Sequence, residues 1–320
     1  MDAHAFTKHS ANFFVYQSET KGKITMCTRK NTMRTSAFIS IIAAFLLVPL
    51  LQAQDGHKRT LDLQGATEVV ADINGGIGTL NLKRGSGNAL MTLREDREDD
   101  DARRDVSVDY HVRDGIGYLT LDLGNKDGDD MNALEFLFRG TDSRTWYVTL
   151  SDRVPIRFDI SLGAGKASLD LTGIHVRALA IDAGAGSVRM RVDRPNRQSI
   201  GKVTFSAGVG SVKTRGLGNL RFSALDFDGG IGEYVLDCSG ALPDGARIKT
   251  DIGVGSLKLA LPEGVAAKAI TSDNPLSSTK MYRFVQHDND VYTTTNYESS
   301  NRRVYLNLEA GLGSVSVHWK

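Results

Sequence analysis

Ten times this chain sets two glycines one residue apart, and seven of these pairs sit in copies of one recurring pattern: Gly76 and Gly78, Gly163 and Gly165, Gly184 and Gly186, Gly208 and Gly210, Gly230 and Gly232, Gly253 and Gly255, Gly311 and Gly313. Glycine turns can cradle phosphate because bare backbone N–H groups converge on the anion, so nucleotide chemistry is the first to test. The spacing refuses it. A dinucleotide turn needs a third glycine three residues after the second, and Arg189 stands there after Gly186. Gly163-Ala164-Gly165-Lys166 resembles the end of a phosphate loop. Its first glycine, however, is replaced by Ile160, and Ala167 follows the lysine in place of Ser or Thr.

Two residues before each first glycine stand Asn74, Ser161, Asp182, Ser206, Asp228, Asp251 and Glu309. Asp and Ser at such places commonly bond turn N–H groups. Calcium held as in glycine-rich nonapeptide repeats is the sharper chemistry. It asks for Asp two residues after the last glycine, where Val188, Val212 and Leu257 stand. Asp228 and Asp251 could pair as acid and base in a glycan-cleaving enzyme if the fold brought them across a cleft. Past the corners, Arg189, Lys213 and Lys258 recur at one outward position, with Glu233 and Asp237 in the intervening copy. The simplest reading is a solvated face; as a binding face it would take an anionic glycan or surface lipid. His57, His111, His175, His287 and His318 have no metal-ligand spacing, and no Gly-x-Ser-x-Gly turn occurs. No catalytic set, metal or cofactor is expected.

What must position these residues is a repeat. From Gly163 the first glycines step by 21, 24, 22 and 23 residues, and then by 58 to Gly311. Three residues before the first glycine stand Ile73, Ile160, Ile181, Phe205, Phe227, Thr250 and Leu308. Two after the second stand Leu80, Ala167, Val188, Val212, Tyr234, Leu257 and Val315, and two further on Leu82, Leu169, Met190, Thr214, Leu236, Leu259 and Val317. Between the glycines sit Ile77, Ala164, Ala185, Val209, Ile231, Val254 and Leu312. Period-two apolarity predicts strand, corner, strand, with one face buried. The residue between the glycines is expected to point inward too, so that Val209→Asp would disrupt its coil and both neighbours. The fold expected is all-β: a β-solenoid of about seven coils with Gly-x-Gly corners, plus extra strands near the N-terminus.

The flanks set the address. Ala37 to Leu51 is an uncharged run of fifteen residues, apolar but for Ser40, preceded by Arg29, Lys30 and Arg34 and followed by Gln52-Ala53-Gln54. That order is a secretory signal segment, and fifteen residues are short of the roughly 20 that span a bilayer. Residues 1–32 are expected to be a dispensable extension, 33–54 the signal peptide, 60–162 an N-terminal β region, and 163–320 the repeats with an insert at 272–303. The chain after the signal keeps one cysteine, Cys238, so it can form no internal disulfide. It also carries 33 basic against 36 acidic residues, a balance that gives no electrostatic case for nucleic acid.

Smaller elements complete the expectation. Val106–Val112 and Tyr118–Leu123 read as a hairpin about Asp114-Gly115, and Tyr282–Val285 with Val291–Thr295 as another. Arg94–Arg104 and Asp127–Asp130 read as loops, and Ala133–Phe138 as either strand or helical turn.

Trp146-Tyr147-Val148-Thr149-Leu150, Val154-Pro155-Ile156, Leu162-Gly163-Ala164-Gly165, Leu169-Asp170-Leu171 and Gly184-Ala185-Gly186 together resemble the bacterial toast-rack domain. That domain is grouped with LiaF-like C-terminal domains and adhesin-like domains of unknown function, and Gly311 to Val317 is typical of the group. The resemblance covers about residues 65 to 320. It implies a β-helical envelope protein without known catalysis, exported to the periplasm, outer envelope or cell exterior, binding an envelope protein or surface glycan. A regulatory protein that holds an envelope-stress sensor and a carbohydrate-active β-helix enzyme are the alternatives.

Overall fold

The computed structural model describes residues 58–96, 106–123, 144–272, 274–288 and 290–320. The N-terminal extension, the signal segment, most of the Arg94–Arg104 run and the stretch 127–138 lie outside the described residues. Seven long strands carry the Gly-x-Gly corners: β2 (Glu68–Arg84), β7 (Ile156–Asp170), β8 (Val176–Arg191), β9 (Ile200–Arg215), β10 (Phe222–Asp237), β11 (Ala246–Leu261) and β16 (Arg303–Trp319). They pair in parallel in that order, with Gly78, Gly165, Gly186, Gly210, Gly232, Gly255 and Gly313 in one line across the sheet. This is a β-solenoid in which seven single-strand rungs carry the corners.

Each rung folds at its corner so that its two arms face each other. In β10, Phe227 before the corner and Tyr234 after it meet edge to face at 5.1 Å between ring centroids. Phe205 of the next rung packs on Phe227 at 5.6 Å, so the core is continuous along the stack. The fold at the corner explains the glycines. The second one takes φ between 131° and 152° in six of the seven rungs. A Cβ on Gly186 would lie 1.9 Å from the carbonyl oxygen of Gly165, and one on Gly210 1.9 Å from that of Gly186. Backbone passes too close to backbone for any side chain.

The corner corrects one expectation. Residues three before the first glycine and two and four after the second are buried, as the alternation predicts: Phe205, Val212 and Thr214 in β9, for instance. The position just before the first glycine is buried as well, in Ala183, Ala207, Ile252 and Ala310. From Ala207 to Val212 is an odd number of residues, so the in–out alternation slips by one within the corner. The residue between the glycines therefore falls on the outside of the bend. Val209, Ile231, Val254 and Leu312 are 52%, 56%, 40% and 49% exposed. They are not core residues.

Both ends of the stack close with a rung made of two separate strands. Under β2, β5 (Ile116–Asp122) lies along the first arm and β6 (Thr145–Leu150) along the second. Antiparallel strands extend both: β4 (Ser107–Arg113) on β5, and β3 (Ala89–Asp96) with β1 (Lys58–Asp62) on β6. At the other end, β12 (Ala266–Thr271) and β13 (Ser277–Met281) lie along the two arms of β16. The hairpin of β14 (Phe284–Gln286) and β15 (Val291–Thr294) pairs on β12. So the insert supplies the second arm of the terminal rung and its covering hairpin, and β16 slots between β11 and this rung although it follows it in sequence.

Opposite the corners run the return segments between rungs. Buried Asn196 donates to the carbonyls of Val176 (2.7 Å) and Gln198 (2.9 Å) and accepts from the N–H of Val176. Asn219 donates to the Val192 carbonyl and accepts from the Ala241 N–H, stitching three successive returns. Ion pairs cover this edge: Asp170 with Arg191, Asp193 with Arg215, and Asp152 with Arg84.

Candidate functional site

The exposed residues between the glycines form a single line. The register pairs Ala164 with Ala185, Ala185 with Val209, Val209 with Ile231, Ile231 with Val254, and Val254 with Leu312. The terminal rung continues the line without a Gly-x-Gly corner. Ser277 pairs with Gly313, which places Leu276, 67% exposed, beside Leu312. Asn274 makes this substitute corner by donating to the carbonyls of Ala310 (3.0 Å) and Gly311 (2.6 Å). Five consecutive rungs thus present a branched aliphatic side chain to solvent at about 4.8 Å intervals. Scattered exposed aliphatics are ordinary, but a contiguous row is not. The repeat showed Val209, Ile231, Val254 and Leu312 in the sequence; Leu276 carries no glycine signature.

On the first arm the polar row stands in register as the repeat required: Asn74, Ser161, Asp182, Ser206, Asp228, Asp251, Glu309. Its recorded bonds run along the strands rather than to the corner, from Asn74 to Asp72 and from Asn307 to Glu309. Asp228 and Asp251 are neighbours on one outward face. They do not face each other across a cleft, which glycoside hydrolysis would need. Among the described residues no three His, Cys, Asp or Glu side chains converge to hold a metal ion. Further out on this arm lie Asp72, Asp159 and Asp226, the last paired with Lys202 at 2.5 Å.

The second arm has the opposite sign. Arg189 pairs in register with Lys213, Lys213 with Val235, Val235 with Lys258, Lys258 with Ser316, and Ser316 with Lys280. The residue in the intervening rung is therefore Val235. Glu233 and Asp237, expected to interrupt the row, do not. Glu233 lies in the serine row nearer the corner, beside Ser211 and Ser256. Asp237 turns into the protein, where burial raises its carboxyl pKa but Lys320 at 2.6 Å and the Ser239 N–H outweigh burial and hold it below the usual range. Lys280 extends the row from the insert.

Among the described residues the histidines stay apart. His111 stacks on Tyr118 at one end of the stack and His318 on Tyr282 at the other. His175 sits in a return segment, where burial and then the charges of Arg197 and Arg177 lower its pKa. Cys238 is fully buried, which pushes its thiol far up and leaves it a core residue. The partly open cavity under the corners of β2, β7 and β8 is about 20 Å³, room for one water. Among the described residues, no helix is long and apolar enough to cross a membrane.

This architecture agrees with what the chain is similar to. Residues 52–215 match the family described as the N-terminal domain of toast_rack, a domain of unknown function. Among solved structures, one similar chain is a "putative cell adhesion protein" from Clostridium sporogenes, 16% identical, with a TM-score of 0.43 over 82% of this chain and 98% of that one. Another is a "putative adhesin" from Bacteroides fragilis, 13% identical, with a TM-score of 0.29 over 81% and 95%. These overlaps are too loose to carry a function across. No curated protein matches the chain. The family match spans more than half of the 320 residues, over rungs whose glycine corners the structure places in one line: the chain belongs to the toast-rack family.

Proposed function

We propose that this protein is a non-catalytic, adhesin-like binding and scaffold protein of the cell envelope, and that it binds through its glycine-corner edge. The observation that carries the reading is the uninterrupted aliphatic row of Val209, Ile231, Val254, Leu312 and Leu276. It lies between an acidic arm and a basic arm on a core otherwise packed solid. Burying such a row is worth about 25 cal/mol per Å² of apolar surface, and the charged rows on either side supply orientation. Arg189, Lys213 and Lys258, with Lys280, form the basic flank of this face. Export is supported by the basic-then-apolar order that ends at Leu51 and by the single cysteine that remains after it.

The test is retention of the purified chain on envelopes of the native cell. Wild type is expected to bind and the Val254→Ser/Leu312→Ser double variant to be lost at least tenfold, with thermal melting unchanged. Equal retention of the two proteins would overturn the reading.

A further inference from the structure

We propose that the corner edge is a homotypic interface, in which two copies meet ridge to ridge with their stacks parallel. This rests on the reading that the corner edge is the binding face, and it names the partner. The argument is charge complementarity about the ridge. Near the corner the first arm carries Asp72, Asp159, Asp182, Asp226, Asp228, Asp251 and Glu309 against Lys249. The second arm carries Lys166, Arg189, Lys213, Lys258 and Lys280 against Glu233. Few arrangements of two such surfaces are favourable.

Consider the two ways to place one ridge on another by a two-fold axis. An axis perpendicular to the stack, lying in the contact plane across the ridge, reverses the second stack and sets acidic arm on acidic arm. An axis parallel to the stack keeps the rungs level and sets the acidic arm of each copy on the basic arm of the other. Only the second is electrostatically self-complementary. In it Asp251 faces the partner's Lys258, because both belong to β11, and Asp182 likewise faces the partner's Arg189 from β8. Asp228 lies between the levels of Lys213 and Lys258, and Glu309 between those of Lys258 and Lys280. An isologous contact of this kind closes on itself as a dimer. Because the rungs stay level, each ridge side chain meets its own counterpart, Val254 on Val254 and Leu312 on Leu312, along the axis. The ridge itself is narrow beside the roughly 800 Å² per partner of a standard stable interface. The dimer is accordingly weak and concentration-dependent, with much of its specificity in the flanking charges.

Sedimentation velocity of the purified chain from micromolar to millimolar concentration is the experiment. A monomer–dimer equilibrium is expected, weakened at least tenfold by Val254→Ser/Leu312→Ser at unchanged melting temperature. Lys258→Asp is expected to weaken it as well, and Asp251→Lys combined with Lys258→Asp to restore it, since the swap rebuilds the pair across the two-fold axis. Added salt should weaken association in the parallel arrangement and strengthen it in the reversed one. A chain that stays monomeric throughout, a dimer indifferent to the ridge variant, or a dimer that the charge swap fails to restore would each overturn the proposal. Ridge-dependent retention on envelopes by a monomeric chain would overturn it while leaving the binding function standing. Ridge-dependent binding of that monomer to protein-free phosphatidylcholine vesicles would identify a lipid surface as the occupant instead.

Discussion

The two long edges of the stack solve the same problem, turning the chain back on itself once per rung, by opposite means. At the corner edge the turn costs three residues and no side-chain chemistry. Two glycines let backbone pass over backbone, and whatever stands between them is expelled to solvent. At the return edge the turns take five to eight residues and are stitched by polar side chains. Asn196 and Asn219 bridge successive loops, Asp193 holds Arg215, and the short 3-10 turn Leu217–Leu220 buries both of its leucines. The variable period is absorbed mainly here, since each corner is held in line by its neighbours. Paired polar groups close most of the return edge as structure, with the buried His175 Nε2 an exception, whereas the corner edge is left with an aliphatic row that nothing among the described residues covers. A surface completed internally has no need of a partner; the other has one to offer.

This contrast can be broken or sharpened by substitution. The largest effect is expected at a corner glycine. Gly210→Ala puts a Cβ 1.9 Å from the Gly186 carbonyl in a backbone region that alanine avoids. It should cost on the order of 4 kcal/mol in urea denaturation. A cost under about 1 kcal/mol would mean that the rungs can move apart, and that the corner is not the rigid edge. Asn219→Ala comes next. It leaves the Val192 carbonyl and the Ala241 N–H without their partner, and should cost roughly 1–3 kcal/mol.

The Asp237–Lys320 pair ties the chain's last residue to β10 and gives the return side a pH signature. The Asp237 carboxyl is lowered on folding. The stability it adds is therefore complete above the unfolded value near 4 and is lost as pH falls through the lower folded value. Asp237→Asn should be about 1 kcal/mol less stable at pH 7, with the gap closing in acid, because the exposed Lys320 shares its charge with solvent. A gap that widened in acid would reverse the assignment. The smallest effect belongs to the ridge. Val209→Asp should melt within about 1 kcal/mol of wild type, while Val212→Asp, three residues on and fully buried, should fail to fold.

That last pair measures how far the sequence could be read. The seven corners, the buried Phe205, Phe227 and Tyr234, the polar row from Asn74 to Glu309 and the cation row were all legible, because a period of two within an arm is a local property of the chain. The outward turn of Val209 and its equivalents was not. Reading the alternation straight through the corner treats the strand as flat, and the slip of one residue exists only once the two arms fold onto a common core. Val235 as the true neighbour of Lys213 and Lys258 was hidden for a related reason. Register is counted across the sheet, and Glu233 and Asp237 lie one step away on either side in the sequence pattern.

Leu276 and Lys280 had no signal at all. Their rung has no Gly-x-Gly, and the hydrogen bonds of Asn274 make its corner. Its place beyond β16 depends on a strand that comes later in the chain slipping in ahead of it. By itself the sequence determined the repeat, the glycine corners, the polar row before them and the recurring cations after them, since steric and hydrophobic patterning act over a few residues. Tertiary structure alone decided which side of the bend the middle residue takes, and how the last rung is assembled. Both depend on backbone from neighbouring rungs filling the space first.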